Sequence, residues 1–171
     1  MRNWLEQNVL SEIARYWENA EFPIEIATRL RELPIMGGIL SEYGCAGLDQ
    51  LGLGLVVYEL ARCDGSITTF FSVHSGLAMG SIGFLGSEQQ KARWLPPMAR
   101  IEKIGAFGLT EPARGSDASH VQTLARRDGS TYILNGSKRW IGNASIADVL
   151  IIWARDEEHR FGGFVIENPS T

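Results

Sequence analysis

The sequence predicts an α+β protein: an all-helical N-terminal domain followed by an incomplete antiparallel β-domain. Up to Ile101, apolar residues recur mainly at helical spacing, whereas after it short alternating runs are separated by turn dipeptides. We place the helical domain at residues 1–103 and the β-domain at residues 104–171. The 171 residues, 44% of them hydrophobic, suffice for one domain and part of a second.

Two helices and a loop are predicted in the first 47 residues. Apolar residues at helical spacing predict one continuous helix over residues 4–17, and Pro34 ends a second one over residues 24–33. Gly37-Gly38 and Tyr43-Gly44 then mark a loop.

Apolar helices follow this loop. Residues 48–61 and 68–85 are apolar on most faces, which is typical of helices buried inside a bundle. Ser87 and Gln90 have the spacing of a capping box, and the helix that they begin is expected to end at Pro96-Pro97.

Strands are predicted in the second domain from alternating runs around turn signals. Asp128-Gly129 and Asn135-Gly136 are dipeptides typical of tight hairpins. The predicted strands are residues 123–127, 131–134, 137–141, 149–154 and 163–166. The last one falls within a few residues of Thr171, so no later strand is expected to close the sheet.

Composition and charge exclude several classes of protein. The formal net charge of −4 gives no electrostatic reason to expect nucleic acid or an anionic membrane surface as partner. Cys45 and Cys63 form no CxxC pair and have no His cluster near them, so we expect reduced thiols and no metal site. No apolar run approaches the roughly 20 residues of a membrane span. No secretory or peroxisomal signal is evident, so intracellular, peroxisomal, mitochondrial and cytoplasmic locations all stay open.

The most informative stretch is Phe107-Gly108-Leu109-Thr110-Glu111-Pro112-Ala113-Arg114-Gly115-Ser116-Asp117. From the residues alone it is a strand that ends in a turn, with Thr110, Ser116 and backbone N–H groups left free. Such a loop can donate hydrogen bonds to an anionic or carbonyl-rich ligand. An ordinary strand-to-loop corner is the alternative.

This stretch resembles the TEP-x-x-GSD signature of the acyl-CoA dehydrogenase flavoprotein family. A second resemblance lies in Asn135-Gly136-Ser137-Lys138-Arg139-Trp140-Ile141-Gly142-Asn143, and two further ones lie in the helical part, at Tyr43-Gly44-Cys45-Ala46-Gly47 and from Gly86 to Pro96. Four ordered matches are far more specific than one. The residues of these motifs are most similar to those of plant-type short-chain acyl-CoA oxidases and glutaryl-CoA dehydrogenases. The resemblance covers the N-terminal domain and part of the middle domain.

The resemblance implies a cofactor, FAD, against an incomplete β-barrel domain. The implied FAD-binding residues are Phe107, Gly108, Leu109, Thr110, Gly115, Ser116, Trp140, Ile141 and Gly142. Trp140 would pack against the isoalloxazine ring, although a plain core tryptophan is the alternative. Many family members carry Thr or Ser at the position of Gly142, and that hydroxyl would donate to flavin N5. Gly142 has no hydroxyl, which favours a shift of flavin reactivity toward oxygen.

The resemblance also implies a substrate, an acyl-CoA that acquires a 2,3-trans double bond. A carboxylate would take the α proton while the β hydrogen leaves as hydride. Thr68, Thr69, Ser72 and Ser116 are the implied substrate-binding residues, and Thr68 stands where glutaryl-CoA dehydrogenases carry Arg. A short, plain acyl chain is therefore expected. His74, nearby, is interpreted as a core residue.

No catalytic residue is predicted within the chain. The family's base is a Glu in a C-terminal helical bundle that we expect to be absent here, and that bundle normally completes a homo-oligomer, usually a tetramer. Glu111 is interpreted as a brace for its loop. Two functions stay open: an acyl-CoA dehydrogenase or oxidase in fatty-acid or amino-acid breakdown, or a non-catalytic remnant that binds flavin or acyl-CoA.

Overall fold

The computed structural model describes residues 1–167 and Pro169. The chain divides into two compact units, Met1–Lys103 and a second one that begins at Ile104. Helices in the first unit followed by strands in the second confirm the predicted fold class. No described helix is long and apolar enough to cross a membrane.

Short helical segments form the first unit. The α-helices are α1 (Arg2–Leu5), α2 (Ile13–Glu18), α3 (Ile24–Arg29), α4 (Gln50–Cys63), α5 (Gly65–Phe71), α6 (Gly80–Leu85) and α7 (Glu88–Ala99). Two π-helical segments, Glu6–Leu10 and Ser72–Met79, continue α1 and α5. A 3-10 turn, Leu30–Glu32, follows α3.

The first helix is not continuous, so its prediction was wrong in that respect. A π-helical segment and a turn separate α1 from α2. Asn8 and Ser11 donate side-chain hydrogen bonds to the carbonyls of Trp4 and Gln7, an alternative to regular helix bonding. Leu5, Val9 and Ile13 are buried as the periodicity predicts, whereas Trp17 is 67% exposed.

The helix α4 forms where apolar residues predict it but lies mostly at the surface of the described unit. Only Leu60 of this helix is buried, and Leu51, Leu55 and Tyr58 are more than half exposed. The predicted burial was therefore wrong for α4. The helix-forming signal is local, whereas burial depends on which other elements cover the helix.

The core of the first unit is built around the run from α5 to α6. Phe70, Phe71 and Met79 are almost fully buried there, together with residues of neighbouring helices. The predicted capping box at Ser87 and Gln90 is present, which fixes the start of α7. The predicted end at Pro96-Pro97 was wrong, because α7 continues to Ala99 and its fully buried Met98 anchors the last turn.

A mixed sheet forms the second unit. Its strands are β1 (Gly105–Gly108), β2 (Leu124–Asp128), β3 (Thr131–Asn135), β4 (Val149–Asp156) and β5 (Phe161–Glu167). The antiparallel β5 pairs along β4, so β1 and β2 share the other edge of β4, both parallel to it. The described sheet follows the order β1-β4-β2-β3 without closing. The sheet is therefore mixed, whereas the prediction was an antiparallel one, because parallel pairing joins partners far apart in the chain, which local alternation does not reveal.

One hairpin prediction is confirmed and the other was wrong. The hairpin forms at Asp128-Gly129: Gly129 and Ser130 connect Asp128, the last residue of β2, to β3, and Gly129 has φ +60°. Residues 137–141 form no strand, and Asn135-Gly136 forms no hairpin. Asn135 is still paired with Leu124 in the β2–β3 ladder, and a Cβ on Gly136 would lie 2.7 Å from the Thr123 Cα, so this glycine permits a close approach of two chain segments instead of forming a turn.

Candidate functional site

The first part of the candidate site is the end of β1. Phe107 is half-buried, and its ring centroid lies 5.8 Å from that of Trp153 on β4. Gly108 pairs with Ile152, and a Cβ there would lie 2.5 Å from the Ile152 Cδ1. Glycine therefore lets β1 approach β4 closely, and Leu109 and Thr110 follow directly at the strand's end.

The second part is the irregular segment that contains Trp140. The Arg139 N–H donates to the Thr110 carbonyl at 2.9 Å, and Lys138 Nζ donates to the Leu109 carbonyl at 2.9 Å. The two segments that the sequence singles out, 107–116 and 140–142, are thereby brought side by side. Asn143 donates to the Gly105 carbonyl at 3.1 Å, which attaches the far end of the segment to the start of β1.

A buried carboxylate lies beneath this junction. Glu111, 5% exposed, accepts hydrogen bonds from Lys138 Nζ, the Gln122 N–H, and the N–H and hydroxyl of Thr123, at 2.6 to 2.9 Å. Burial by itself raises the pKa of Glu111, but these hydrogen bonds outweigh it and lower the pKa to about 2. The interpretation of Glu111 as a structural brace agrees with these contacts.

Trp140 has an unusual environment for a tryptophan. It is 80% exposed, its backbone has φ +60°, and the Arg139 guanidinium carbon lies 4.4 Å from its ring centroid. These observations contradict the alternative of a core tryptophan. A tryptophan ring that lies outside the core is available to contact a ligand. Its neighbours Ile141 and Gly142 are half-buried.

The signature loop contains two hydroxyl groups, those of Thr110 and Ser116. Neither the Thr110 hydroxyl nor the Ser116 hydroxyl bonds to any described residue, and a Cβ on Gly115 would meet open space. The hydrogen bond with His120 lowers the pKa of Asp117, and the charge of Arg114, which donates to Asp117 at 3.0 Å, adds to this effect. The side chains that hold the loop are thus distinct from the two hydroxyls that remain available.

Three of the four residues implied for the substrate lie in the helical unit, whereas Ser116 lies in the second unit. Thr68 and Thr69 belong to α5 and donate to the carbonyls of Asp64 and Gly65 at 2.7 and 2.9 Å. Ser72 begins the π-helical segment. Irregular helical turns of this kind frequently mark functional positions.

His74 is a core residue. It is fully buried, its Nε2 lies 3.0 Å from the Met98 carbonyl oxygen, and its ring stacks on Phe70. The interpretation made from the sequence therefore agrees with its environment. The described residues contain no cluster of His, Cys, Asp or Glu placed to hold a metal. Cys45 and Cys63 are free, and burial raises the pKa of Cys45 to about 11.

Sequence reasoning missed three residues that assemble the site. Lys138 and Asn143 lie inside a recognised motif, but the motif alone does not reveal which backbone carbonyls they reach. Thr123 carries no motif signal, since its contact with Glu111 joins residues twelve positions apart.

Comparison with known proteins identifies the same family over nearly the whole chain. Residues 1–102 match the acyl-CoA dehydrogenase N-terminal domain, and residues 106–171 match the middle domain. The short-chain specific acyl-CoA dehydrogenase of Clostridium acetobutylicum is 37% identical over 172 residues, which cover 98% of this chain and 45% of that protein.

Solved structures agree with this relationship. Glutaryl-CoA dehydrogenase from Mycobacterium smegmatis superposes with a TM-score of 0.93 at 42% identity, over 99% of this chain and 44% of that one. The Bacillus anthracis acyl-CoA dehydrogenase complexed with FAD has a TM-score of 0.88 at 34% identity, over 98% and 29%. The chain thus spans less than half the length of these relatives. It belongs to the acyl-CoA dehydrogenase family, within that family's N-terminal and middle domains.

Proposed function

We propose that this chain is the part of an FAD-dependent oxidoreductase that binds flavin and acyl-CoA, in an enzyme that forms a 2,3-trans double bond in a short-chain acyl-CoA. The observation that carries the proposal is the junction of Leu109-Thr110 with Trp140. There, the Arg139 N–H and the Lys138 side chain bond to the carbonyls of Thr110 and Leu109, which joins the segment of the exposed Trp140 to the end of β1. Family membership and the FAD complex of a relative support FAD as the ligand.

The residues at this junction suit a flavin. The Thr110 hydroxyl would donate to a ring carbonyl, and the Trp140 ring would cover the isoalloxazine. Phe107, Gly108, Leu109, Ile141 and Gly142 would line the remaining contact. Gly115 and Ser116, in open and exposed backbone, would receive phosphate groups. When bound, FAD would supply the acceptor for the β hydrogen.

The acyl chain is proposed to be short and uncharged. No Lys or Arg occurs in α5, and the hydroxyls of Thr68 and Thr69 are engaged with backbone carbonyls. A distal carboxylate would therefore lack the charge-assisted partner that binds it tightly. Thr68, Thr69 and Ser72 would contact the acyl end, and Ser116 the CoA moiety.

Glu111 is unsuited to remove the α proton. A carboxylate that is buried, accepts four hydrogen bonds and has its pKa lowered to about 2 is a weak base. The proposed role of the described residues is therefore to bind and orient, and the base would be a carboxylate supplied from elsewhere in the enzyme.

An oxidase is the finer proposal, and it depends on Gly142. This residue is not among the described glycines with positive φ, so its backbone does not require glycine. Thr at this position would add a hydroxyl near the flavin. We expect Gly142→Thr to slow reoxidation of the reduced flavin by oxygen, measured by stopped-flow absorbance. An unchanged rate would count against the oxidase and leave dehydrogenase activity as the proposal.

A flavin titration tests the proposed function. The chain is titrated with FAD, and the visible absorption spectrum and flavin fluorescence are recorded after free flavin is removed. We expect a retained, perturbed flavin band that Trp140→Ala weakens. The matched control is Trp17→Ala, another exposed tryptophan, which should leave the band unchanged. The absence of a retained flavin in the unmodified chain would refute the proposal that these residues suffice for the site.

A further inference from the structure

The ion pair between Lys138 and Glu111 is buried. The Lys138 side chain is 9% exposed and that of Glu111 is 4% exposed, with 2.9 Å between Nζ and Oε1. By contrast, the pair Lys91–Glu88 on α7 has a similar separation, 2.8 Å, but Glu88 is 76% exposed. Burial of a lysine requires that its charge and its donors be satisfied, so the surroundings of Lys138 are closely specified.

Lys138 joins two segments that both belong to the proposed flavin site. Its Nζ donates to the Leu109 carbonyl as well as to Glu111, and the next residue donates its N–H to the Thr110 carbonyl. Trp140 lies two positions further along the chain. The side chain of Lys138 therefore limits how far Trp140 can move from Thr110.

Neutralising Glu111 does not explain the whole arrangement. The carboxylate already accepts from Gln122 and from two groups of Thr123. The contact between Lys138 and the Leu109 carbonyl does nothing for that charge. It fixes the Leu109 carbonyl, directly before Thr110, in the segment after β1 that would face the flavin.

We infer that Lys138 is a positioning residue, which sets the spacing between Thr110 and Trp140 through the Leu109 carbonyl and so lets both contact one flavin ring. The inference rests on the proposed function. Lys138 itself does not touch the cofactor. Its effect is exerted on the geometry of two other residues.

The test compares Lys138→Met with the double variant Glu111→Gln, Lys138→Met. Met has a similar length but no donor, so the single variant removes both contacts and leaves a buried charge unpaired. The double variant also removes the buried carboxylate, so its stability should recover in part. FAD affinity and the visible circular dichroism of bound flavin are measured where far-UV circular dichroism shows folded protein.

We expect both variants to bind FAD roughly tenfold more weakly or worse and to change the visible circular dichroism, because neither restores the bond to Leu109. If the double variant regains stability but not FAD affinity or the visible circular dichroism of bound flavin, Lys138 acts by positioning. Lys91→Met, which removes the exposed ion pair on α7, should change neither FAD affinity nor the visible circular dichroism. If Lys138→Met does not fold, the double variant decides the question.

Two results would overturn the inference. Normal FAD affinity and circular dichroism in the double variant would show that Lys138 serves only to neutralise Glu111. Normal values in Lys138→Met would show that the spacing needs no such contact. Failure of the unmodified chain to bind FAD would refute the proposed function, and the inference with it, whereas binding by the unmodified chain with unchanged variants would refute the inference alone.

Discussion

Replacing Glu111 with Gln measures how strongly the buried carboxylate stabilises the β-unit. The hydrogen bonds from Thr123, Gln122 and Lys138 lower the pKa from an ordinary value of 4.5 to about 2, against the opposing effect of burial. At about 1.4 kcal/mol for each pH unit, this difference corresponds to about 3 kcal/mol of free energy of unfolding near neutral pH. Gln keeps one accepting oxygen but turns an NH₂ group toward a donor, so it loses this stabilisation.

The pH dependence follows from the direction of the pKa change. Because the pKa of Glu111 is lower in the folded protein, the stabilisation is fully present above about pH 4.5 and is lost as the pH falls toward about 2. The stability gap between the unmodified chain and Glu111→Gln should therefore be constant from about pH 7 to 5. It should narrow by up to about 1.4 kcal/mol for each further pH unit.

Amide hydrogen exchange in β4 is the suitable assay, since it reports on the β-unit by itself. Glu158→Gln is the matched control, because Glu158 and Arg160 form an exposed pair in the same unit, and we expect no measurable change there. A gap that is equal at about pH 7 and about pH 3 would refute the reasoning, because it would show that the ionised carboxylate is not the source of the stabilisation.

Further predictions concern single substitutions. Trp140→Ala should leave the free energy of unfolding within about 0.5 kcal/mol, since the ring is 80% exposed, while it lowers FAD affinity; equal affinity would count against the flavin contact. Gly108→Ala should destabilise the β-unit by about 1–3 kcal/mol because its Cβ meets Ile152, whereas Gly115→Ala, in open space, should not; urea unfolding compares the two. Asp64→Ala should cost about 1–2 kcal/mol in thermal or urea unfolding, since Asp64 caps α5 at 2.8 Å; a neutral result would contradict the cap's importance.

Local chemistry accounts for the parts of the fold that the sequence predicts well. The Asp128-Gly129 hairpin needs a residue at positive φ, and Gly129 supplies it at +60°. The capping box of α7 needs only Ser87 and Gln90 at a fixed spacing. Both signals act within four residues, so no knowledge of the rest of the molecule is required to interpret them.

Tertiary contacts account for the parts that were predicted wrongly. The helix α7 continues through Pro96-Pro97 because Leu95 and Met98 are buried in the core of the unit. The prediction that α4 is buried was also wrong, because Leu51, Leu55 and Tyr58 of this helix are exposed in the described unit. In both cases the extent or burial of the helix depends on how it packs against other elements, and periodicity within one segment cannot identify those elements.

The failed strand at residues 137–141 supports a ligand site more than an ordinary corner. Trp140 has a left-handed backbone, which costs about 1–2 kcal/mol for a residue with a bulky side chain, whereas Asn143 occupies the same region as asparagine commonly does. Burying the Trp140 ring would stabilise the fold by about 3 kcal/mol, yet the ring stays 80% exposed. In the proposed site, a flat ligand that covers the ring would recover this burial. The contacts of Lys138 and Arg139 with Leu109 and Thr110 hold the segment against the end of β1 instead of in a ladder, which leaves the ring available to such a ligand.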